Sequence, residues 1–316
     1  MAWNFYCTSE IRSWAELLDR YHWHDRVPSA GVDKPSRWIF RGQGSAGWDL
    51  KTSLERAYEE QAQLCTPGRV SLPEECAARA DLAVPQAADL EHFLLRKFQR
   101  ECHRFDLSSN PAEDDYLEWF AWMQHYGAPT RLLDCTYSMF VAVFFALEDA
   151  KANNGPAAVW AVNDEAMRPG FEAVLYERSG SHQWWQYRRD QGLTEKRTFT
   201  ELFMGQPPLS LVGSVNPFKL NERLVVQQGV FLCPGNVGSS FMKNLEAVVP
   251  CCGQQHQPVV IQYRITDDPA VRREILRHLL RMNISSATLF PGLEGFARSL
   301  RQWLAFPELA LPQNRG

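Results

Sequence analysis

Three short stretches of this 316-residue sequence concentrate side chains able to grip an anion, move a proton or hold a sugar hydroxyl. Phe40-Arg41-Gly42-Gln43 places a guanidinium at the end of a strand pattern, Arg37 to Arg41, in which Trp38 and Phe40 share a face. The adjoining glycine lets a second backbone or a phosphate come close. Gln124-His125-Tyr126-Gly127 continues through Pro129 to Thr130-Arg131-Leu132-Leu133-Asp134-Cys135-Thr136. Set between two apolar helices, its polar groups need partners, and Arg131 with Asp134 can serve one another. Asn221 to Phe231 carries Arg223, Gln227 and Gln228 ahead of Gly229. On a strand, Arg223, Val225 and Gln227 share one side, and Gln228 beside the glycine can present an amide to a ligand. For Arg41 a structural ion pair competes with anion binding. For the Gln124–Thr136 segment a folding clasp competes with a binding site.

Helices and strands must position these groups. Periodicity predicts a helix over Ser9 to His22 and an amphipathic helix from Gln86 to Phe105, with Leu90, Phe93, Leu94, Phe98, Cys102 and Phe105 as its core stripe. A helix from Ala112 to Tyr126 stops at Gly127 and Pro129 and delivers His125 and Tyr126 to its end. Thr130 to Asp134 reads as extended, and Ser138 caps a nearly all-apolar helix, Met139 to Ala152. Strands are expected at Ala157 to Val162, Leu224 to Cys233 and Val259 to Ile265. Asp267 or Asp268 caps a helix bearing Val271, Ile275, Leu279 and Leu280, and a last helix runs from Leu293 to Phe306. Thr66 to Pro85, rich in Pro, Ala and Glu, reads as a loop or insertion. Strands scattered among helices predict an α+β fold, with small mixed or antiparallel sheets surrounded by helices in one domain over residues 1–316.

Composition removes several classes. With 33 Lys and Arg against 37 Asp and Glu, the net charge of -4 argues against a protein held to DNA mainly through its phosphates. The longest strongly apolar run, Met139 to Leu147, is far short of the roughly 20 residues that span a bilayer, and Met1 to Glu10 lacks a signal pattern. A cytoplasmic protein without membrane partners is expected, its eight cysteines reduced. No Cys-x-x-Cys occurs, Cys251-Cys252 lacks finger-spaced partners, and His22 with His24 diverge on a helix, so no metal is expected. Gly42-Gln43-Gly44 lacks the continuation of a dinucleotide fingerprint, and there is no Walker lysine and no Gly-x-Ser-x-Gly elbow. The aromatic run His182 to Arg189 can stack bases, though a half-buried helix is the commoner origin of such a stretch.

In order along the chain, Phe40-Arg41-Gly42, Trp48, Leu50 to Leu54, the Gln124–Gly127 and Thr130–Asp134 blocks, Ala142 with Phe145-Ala146, Arg223 with Gln228–Phe231, and Leu289–Gly295 resemble the FRG domain family. That resemblance implies a bacterial toxin or phage-defence role. More distantly, Arg41, and Asp134-Cys135-Thr136 followed by Ala142 and Phe145, resemble the first two site elements of ADP-ribosyltransferases of the arginine, serine, glutamate type. The second resemblance implies NAD as substrate and a transferase-like fold. It assigns catalytic roles to Arg41, Asp134, Thr136 and Gln228, and cofactor-binding roles to Gly42, Gln43, His125, Tyr126, Arg131 and Arg223. Where those enzymes place a glutamate, this sequence offers Gln227 and Gln228, with Glu222 upstream, and an amide gives less stabilisation to developing positive charge. Two functions follow. One is an NAD-consuming mono-ADP-ribosyltransferase with a protein or nucleic-acid acceptor; the other is a non-catalytic nucleotide- or nucleic-acid-binding module.

Overall fold

The computed structural model describes residues 5–26, 28–29, 32–35, 37–64, 86–105, 110–150, 155–179, 195–219, 221–249 and 258–306. The Thr66 to Pro85 stretch, the aromatic run His182 to Arg189 and Cys251-Cys252 lie outside them.

Alternation of large side chains builds the centre. In β4 (Trp38–Gln43), Trp38 and Phe40 pack into one apolar cluster and Ile39 into another. Its neighbour β6 (Ala157–Asn163) divides in the same way, with Val159 and Ala161 on one side and Trp160 and Val162 on the other. Both strands are therefore buried on two faces, as the middle of a helix-covered sheet must be. Around them β1 (Cys7–Ile11), β5 (Leu133–Thr136), β7 (Val212–Val215), β8 (Gly229–Pro234) and β9 (Val260–Ile265) complete a seven-stranded sheet in the order β1-β9-β6-β4-β5-β8-β7. Only the β1–β9 pair is parallel, so the sheet is mixed. A separate ribbon joins β2 (Pro28–Ser29) to β3 (Val32–Pro35). The fold is α+β as expected, but one large sheet stands where several small ones were anticipated.

One face is covered by α1 (Trp14–Arg26), which contributes Leu17, by α5 (Met139–Asp149), and by α10 (Pro269–Arg281) and α11 (Ser286–Leu289). The other packs against α3 (Ala87–Glu101), α4 (Tyr116–His125), α7 (Glu195–Phe203) and α9 (Phe241–Val248). The chain further forms α2 (Ser53–Leu64), α6 (Arg168–Ser179), α8 (Glu222–Val226) and α12 (Leu293–Ala305). Helix starts follow cap chemistry: Asp115, Ser138 and Asp268 each accept a hydrogen bond from a backbone N–H of the first turn.

Three expectations need correction. The helix expected from Ser9 begins only at Trp14, because Cys7 to Ile11 pair with β9 and the Ser13 hydroxyl caps Glu16. The core stripe expected from Gln86 to Phe105 holds in part: Cys102 is buried and Leu94 and Phe98 pack against the core, but Phe93 and Phe105 are exposed, and Ala87, Glu91 and Leu95 are buried beside them. Glu91 is drawn inward by Arg131. The strand expected from Leu224 begins only at Gly229, since the Asn221 side chain caps Leu224 N at 2.8 Å and starts α8. Arg223, Val225 and Gln227 therefore do not alternate along a strand.

The sheet is weakly joined at its centre. β4 pairs with β6 from Trp38 opposite Asn163 to Gln43 opposite Ala158, but meets β5 only at Phe40 opposite Thr136. On that other side, the strands part and leave a split.

Candidate functional site

The split is held by side chains of the two polar motifs. Arg41 Nη1 donates to the Asp134 carbonyl at 2.5 Å, bridging β4 and β5 where their ladder has ended. The Asp134 carboxylate accepts from Gln124 Nε2 at 2.7 Å, and Gln124 Oε1 accepts from Thr130 Oγ1 at 2.5 Å and from Ser53 Oγ at 3.3 Å. Helix α2 thereby joins the end of α4 and the start of β5. Arg56 on α2 is held below the usual guanidinium range, first by partial desolvation and then by the charge of Arg41.

Gly42 has a packing role. A Cβ there would stand 2.0 Å from the Ala142 carbonyl oxygen and 2.6 Å from Ala146 N, so only glycine lets β4 press onto α5. Gln43 is also structural: its Nε2 donates to the Asp49 carbonyl at 3.2 Å, and its Oε1 accepts from Trp160 Nε1 at 2.9 Å.

Arg131 is not the partner of Asp134. It is 3% exposed and forks onto the equally buried Glu91, with Nε to Oε1 at 2.7 Å and Nη2 on Oε2, while Nη1 donates to the Phe203 carbonyl. This is the clasp reading realised with a different acid, and it ties α3, the end of α7 and β5 together away from the split.

Thr136 is buried and fully engaged, donating to the Gln227 carbonyl at 2.7 Å and accepting from Ser138 N at 2.9 Å. Gln227 in turn donates through Nε2 to the Leu289 carbonyl at 2.8 Å. Gln228, at φ +50°, makes the turn from α8 into β8 and is exposed.

A cavity of about 960 Å³ opens beside the split. Arg41, Gly42, Asp134, Thr136, Arg223 and Gln227 line it, which brings together six residues drawn from the three motifs. Gln43, Arg131, His125, Tyr126 and Gln228 lie outside its lining. His125 is exposed at the end of α4 and held below its ordinary range, first by partial burial and then by the charge of Arg223. Tyr126 borders a separate apolar cavity of about 550 Å³ with Leu94, Phe98 and Phe105.

The remaining wall comes from residues to which no role was assigned, although Phe290 and Glu294 stand within the Leu289–Gly295 motif. Glu148 and Asp149 reach the cavity from the last turn of α5, Phe290 from the loop before α12, and Glu294, Arg298 and Arg301 from α12 itself. Arg223 and Arg298 both stack over the Phe290 ring, 4.8 and 4.6 Å from its centre. Glu148 Oε1 accepts from Ser286 Oγ at 2.5 Å, and Glu294 pairs with Arg298 at 2.7 Å. The spacing of Glu294, Arg298 and Arg301 along one side of the helix was the available signal. The cavity therefore carries both charge signs, with arginine groups suited to phosphate and carboxylates suited to a cation or a proton.

Among the described residues, no group of three or more His, Cys, Asp or Glu could hold a metal ion, and no helix is long and apolar enough to cross a membrane. The four described cysteines are unpaired. Burial pushes the Cys135 thiol up to about 12, which leaves it unreactive at neutral pH.

No curated protein and no solved structure matches the chain, and nothing in these comparisons supports a likeness to ADP-ribosyltransferases. The family model for the FRG domain matches residues 36–155, from the approach to β4 through α2, α3, α4, β5 and α5. That span holds Arg41, Gly42, Gln124, Thr130, Asp134 and Glu148, whereas Arg223, Gln227, Phe290 and Arg298 come from the chain beyond it. Residues 36–155 are an FRG domain, and it supplies one wall of the cavity.

Proposed function

We propose that the cavity binds NAD as a substrate and that the protein consumes it, transferring its ADP-ribosyl group to water or to an acceptor. The observation that carries this reading is the state of Arg41. Its guanidinium is fixed through Nη1 to the Asp134 carbonyl, and its Nε, although buried, has no hydrogen-bond partner among the described residues. A guanidinium has five N–H donors, so the anchored group keeps donors for a phosphate. The cavity lies near the upper end of the roughly 300–1,000 Å³ usual for small-molecule sites, a size suited to a dinucleotide.

Other groups support the same ligand. Arg223, Arg298 and Arg301 add positive charge for a diphosphate, and Phe290 offers an aromatic edge beside them. Gln227 is anchored through its amide nitrogen, which leaves Oε1 to accept a ribose hydroxyl. Thr136 then acts by fixing Gln227, and the part expected of Gln228 passes to its neighbour. Consumption of NAD suits a toxin or defence effector.

A second reading, a nucleotide- or nucleic-acid-binding module without chemistry, is favoured by the amide of Gln227 standing in the split where a carboxylate would best support a cation. Nicotinamide release from NAD by wild type, Arg41→Lys and Arg41→Ala, with the ADP-ribosyl label followed into added protein, RNA and DNA, separates the two. Consumption predicts release that falls at least about 100-fold in both variants. Tight nucleotide binding without release would establish the module, and release indifferent to residue 41 would refute the site.

A further inference from the structure

Glu148 stands on the cavity wall in an arrangement that the Arg41 reading leaves unexplained. Its Oε1 accepts from the Ser286 hydroxyl at 2.5 Å, and Ser286 is wholly buried. The same hydroxyl accepts from Gln302 Nε2 at 3.1 Å, while Ser286 N donates to Gln302 Oε1 at 3.4 Å. An exposed carboxylate is thus aimed by a buried hydroxyl whose own direction is set by an amide.

The location also runs against helix electrostatics. Glu148 and Asp149 close α5, whose last turn has no basic residue, at the end where free carbonyl groups already carry partial negative charge. Acidic groups there are unfavourable for the helix, and locking one of them in place removes its chance to swing away. Violations of a local rule cluster at functional sites. The end of α5 therefore concentrates negative charge opposite the arginines of the cavity, and the two together suit a ligand that is anionic at one part and cationic at another. NAD has both, with its diphosphate and its pyridinium-bearing ribose.

We propose that Glu148 is the carboxylate that stabilises positive charge on the ribosyl carbon as NAD is cleaved, an inference that rests on the NAD-consuming reading of this cavity. The bond from ribosyl C1′ to the nicotinamide nitrogen breaks, and its electron pair leaves with nicotinamide as a neutral base. The positive charge left on C1′ and the ring oxygen is stabilised by the Glu148 carboxylate. Water or an acceptor nucleophile donates a lone pair to C1′, and its proton passes to Glu148 and on to solvent. With water, NAD gives ADP-ribose, nicotinamide and one proton.

Glu148→Gln tests this, because the amide oxygen still accepts from Ser286 and only the charge is lost. Expected are an unchanged melting temperature, an NAD dissociation constant within about threefold of wild type, and a kcat for nicotinamide release lowered by about 100-fold or more. Ser286→Ala keeps the charge and removes its anchor, and lowers kcat with KM unchanged. A wild type that releases nicotinamide alongside a Glu148→Gln variant that does so equally fast would reduce Glu148 to a tether between α5 and α11. A wild type that releases none would overturn the NAD-consuming reading itself, and this assignment with it.

Discussion

Gln124 and Asp134, ten residues apart, are joined side chain to side chain, Nε2 to Oδ2 at 2.7 Å. Because Gln124 Oε1 also takes the Thr130 hydroxyl, the amide fixes the loop between α4 and β5 from both ends, and the same Asp134, paired with Phe231 in the β5–β8 ladder, offers its carbonyl to Arg41. The two polar motifs are thus joined, the second accepting through the Asp134 carbonyl from the guanidinium of the first. Gln124→Leu removes a bond to a carboxylate and leaves the buried Thr130 hydroxyl, which still accepts from Leu132 N at 3.2 Å, without an acceptor for its proton. It is expected to lower stability by about 1–3 kcal/mol, read as a shifted urea midpoint at constant m-value, and to weaken NAD binding through Arg41.

The Glu91–Arg131 pair makes a contrasting prediction, because it stands away from the cavity. Removing one partner leaves an uncompensated buried charge, so Glu91→Leu and Arg131→Met alone should each cost about 3–5 kcal/mol. The double variant should recover much of that loss, since two apolar side chains leave no orphaned ion. A double-mutant cycle in guanidinium chloride measures this, and additive losses would exclude the pair as a coupled unit.

Gly42→Ala should be poorly tolerated although alanine is the smallest change available. The added carbon meets helix backbone, the Ala142 carbonyl at 2.0 Å, which cannot rotate aside. Separation of β4 from α5 should cost roughly 1–3 kcal/mol or more and lower the melting temperature. A melt equal to wild type would show that the close approach is not required.

Acid sensitivity is expected from His24. Burial among Trp23, Trp38 and Phe40 holds its imidazole down at about 3 against an ordinary 6.5, with Nε2 bonded to the Tyr263 hydroxyl at 3.0 Å. The unfolded chain takes up a proton below 6.5 that the folded chain refuses. The stability contribution is therefore complete above pH 6.5 and falls as pH drops towards 3, by about 1.4 kcal/mol per pH unit. His24→Gln should flatten that part of the stability profile, measured by denaturant titration at several pH values. An unchanged slope would mean that other groups carry the acid response.

Much of this arrangement was legible in the sequence, for identifiable reasons. The caps at Ser138 and Asp268, the alternation of Trp38, Ile39 and Phe40, and the glycine and proline after α4 are local signals, and the structure follows them. The inward turn of Glu91 on α3 was not legible, because periodicity ranks it as solvent-facing and only the distant Arg131 draws it in. Nor was the partner of Arg131, since Asp134 is nearer in sequence but points its carboxylate to Gln124. Arg41 and Thr136, which the motifs named, line the cavity, and Phe290 stood within the Leu289–Gly295 motif with no role attached to it. Glu148 and Arg298 carried no motif, because the end of α5 and the start of α12 meet only through the tertiary fold.

The most direct test of the central claim, that an Arg41-anchored cavity holds NAD, is calorimetric titration of NAD into wild type, Arg41→Lys and Arg223→Ala, with melts confirming that each is folded. The account predicts saturable one-to-one binding by wild type, weakened at least about tenfold in both variants as charged hydrogen bonds to phosphate are lost. Binding of equal strength in all three, or no heat from a folded wild type at millimolar NAD, would contradict it.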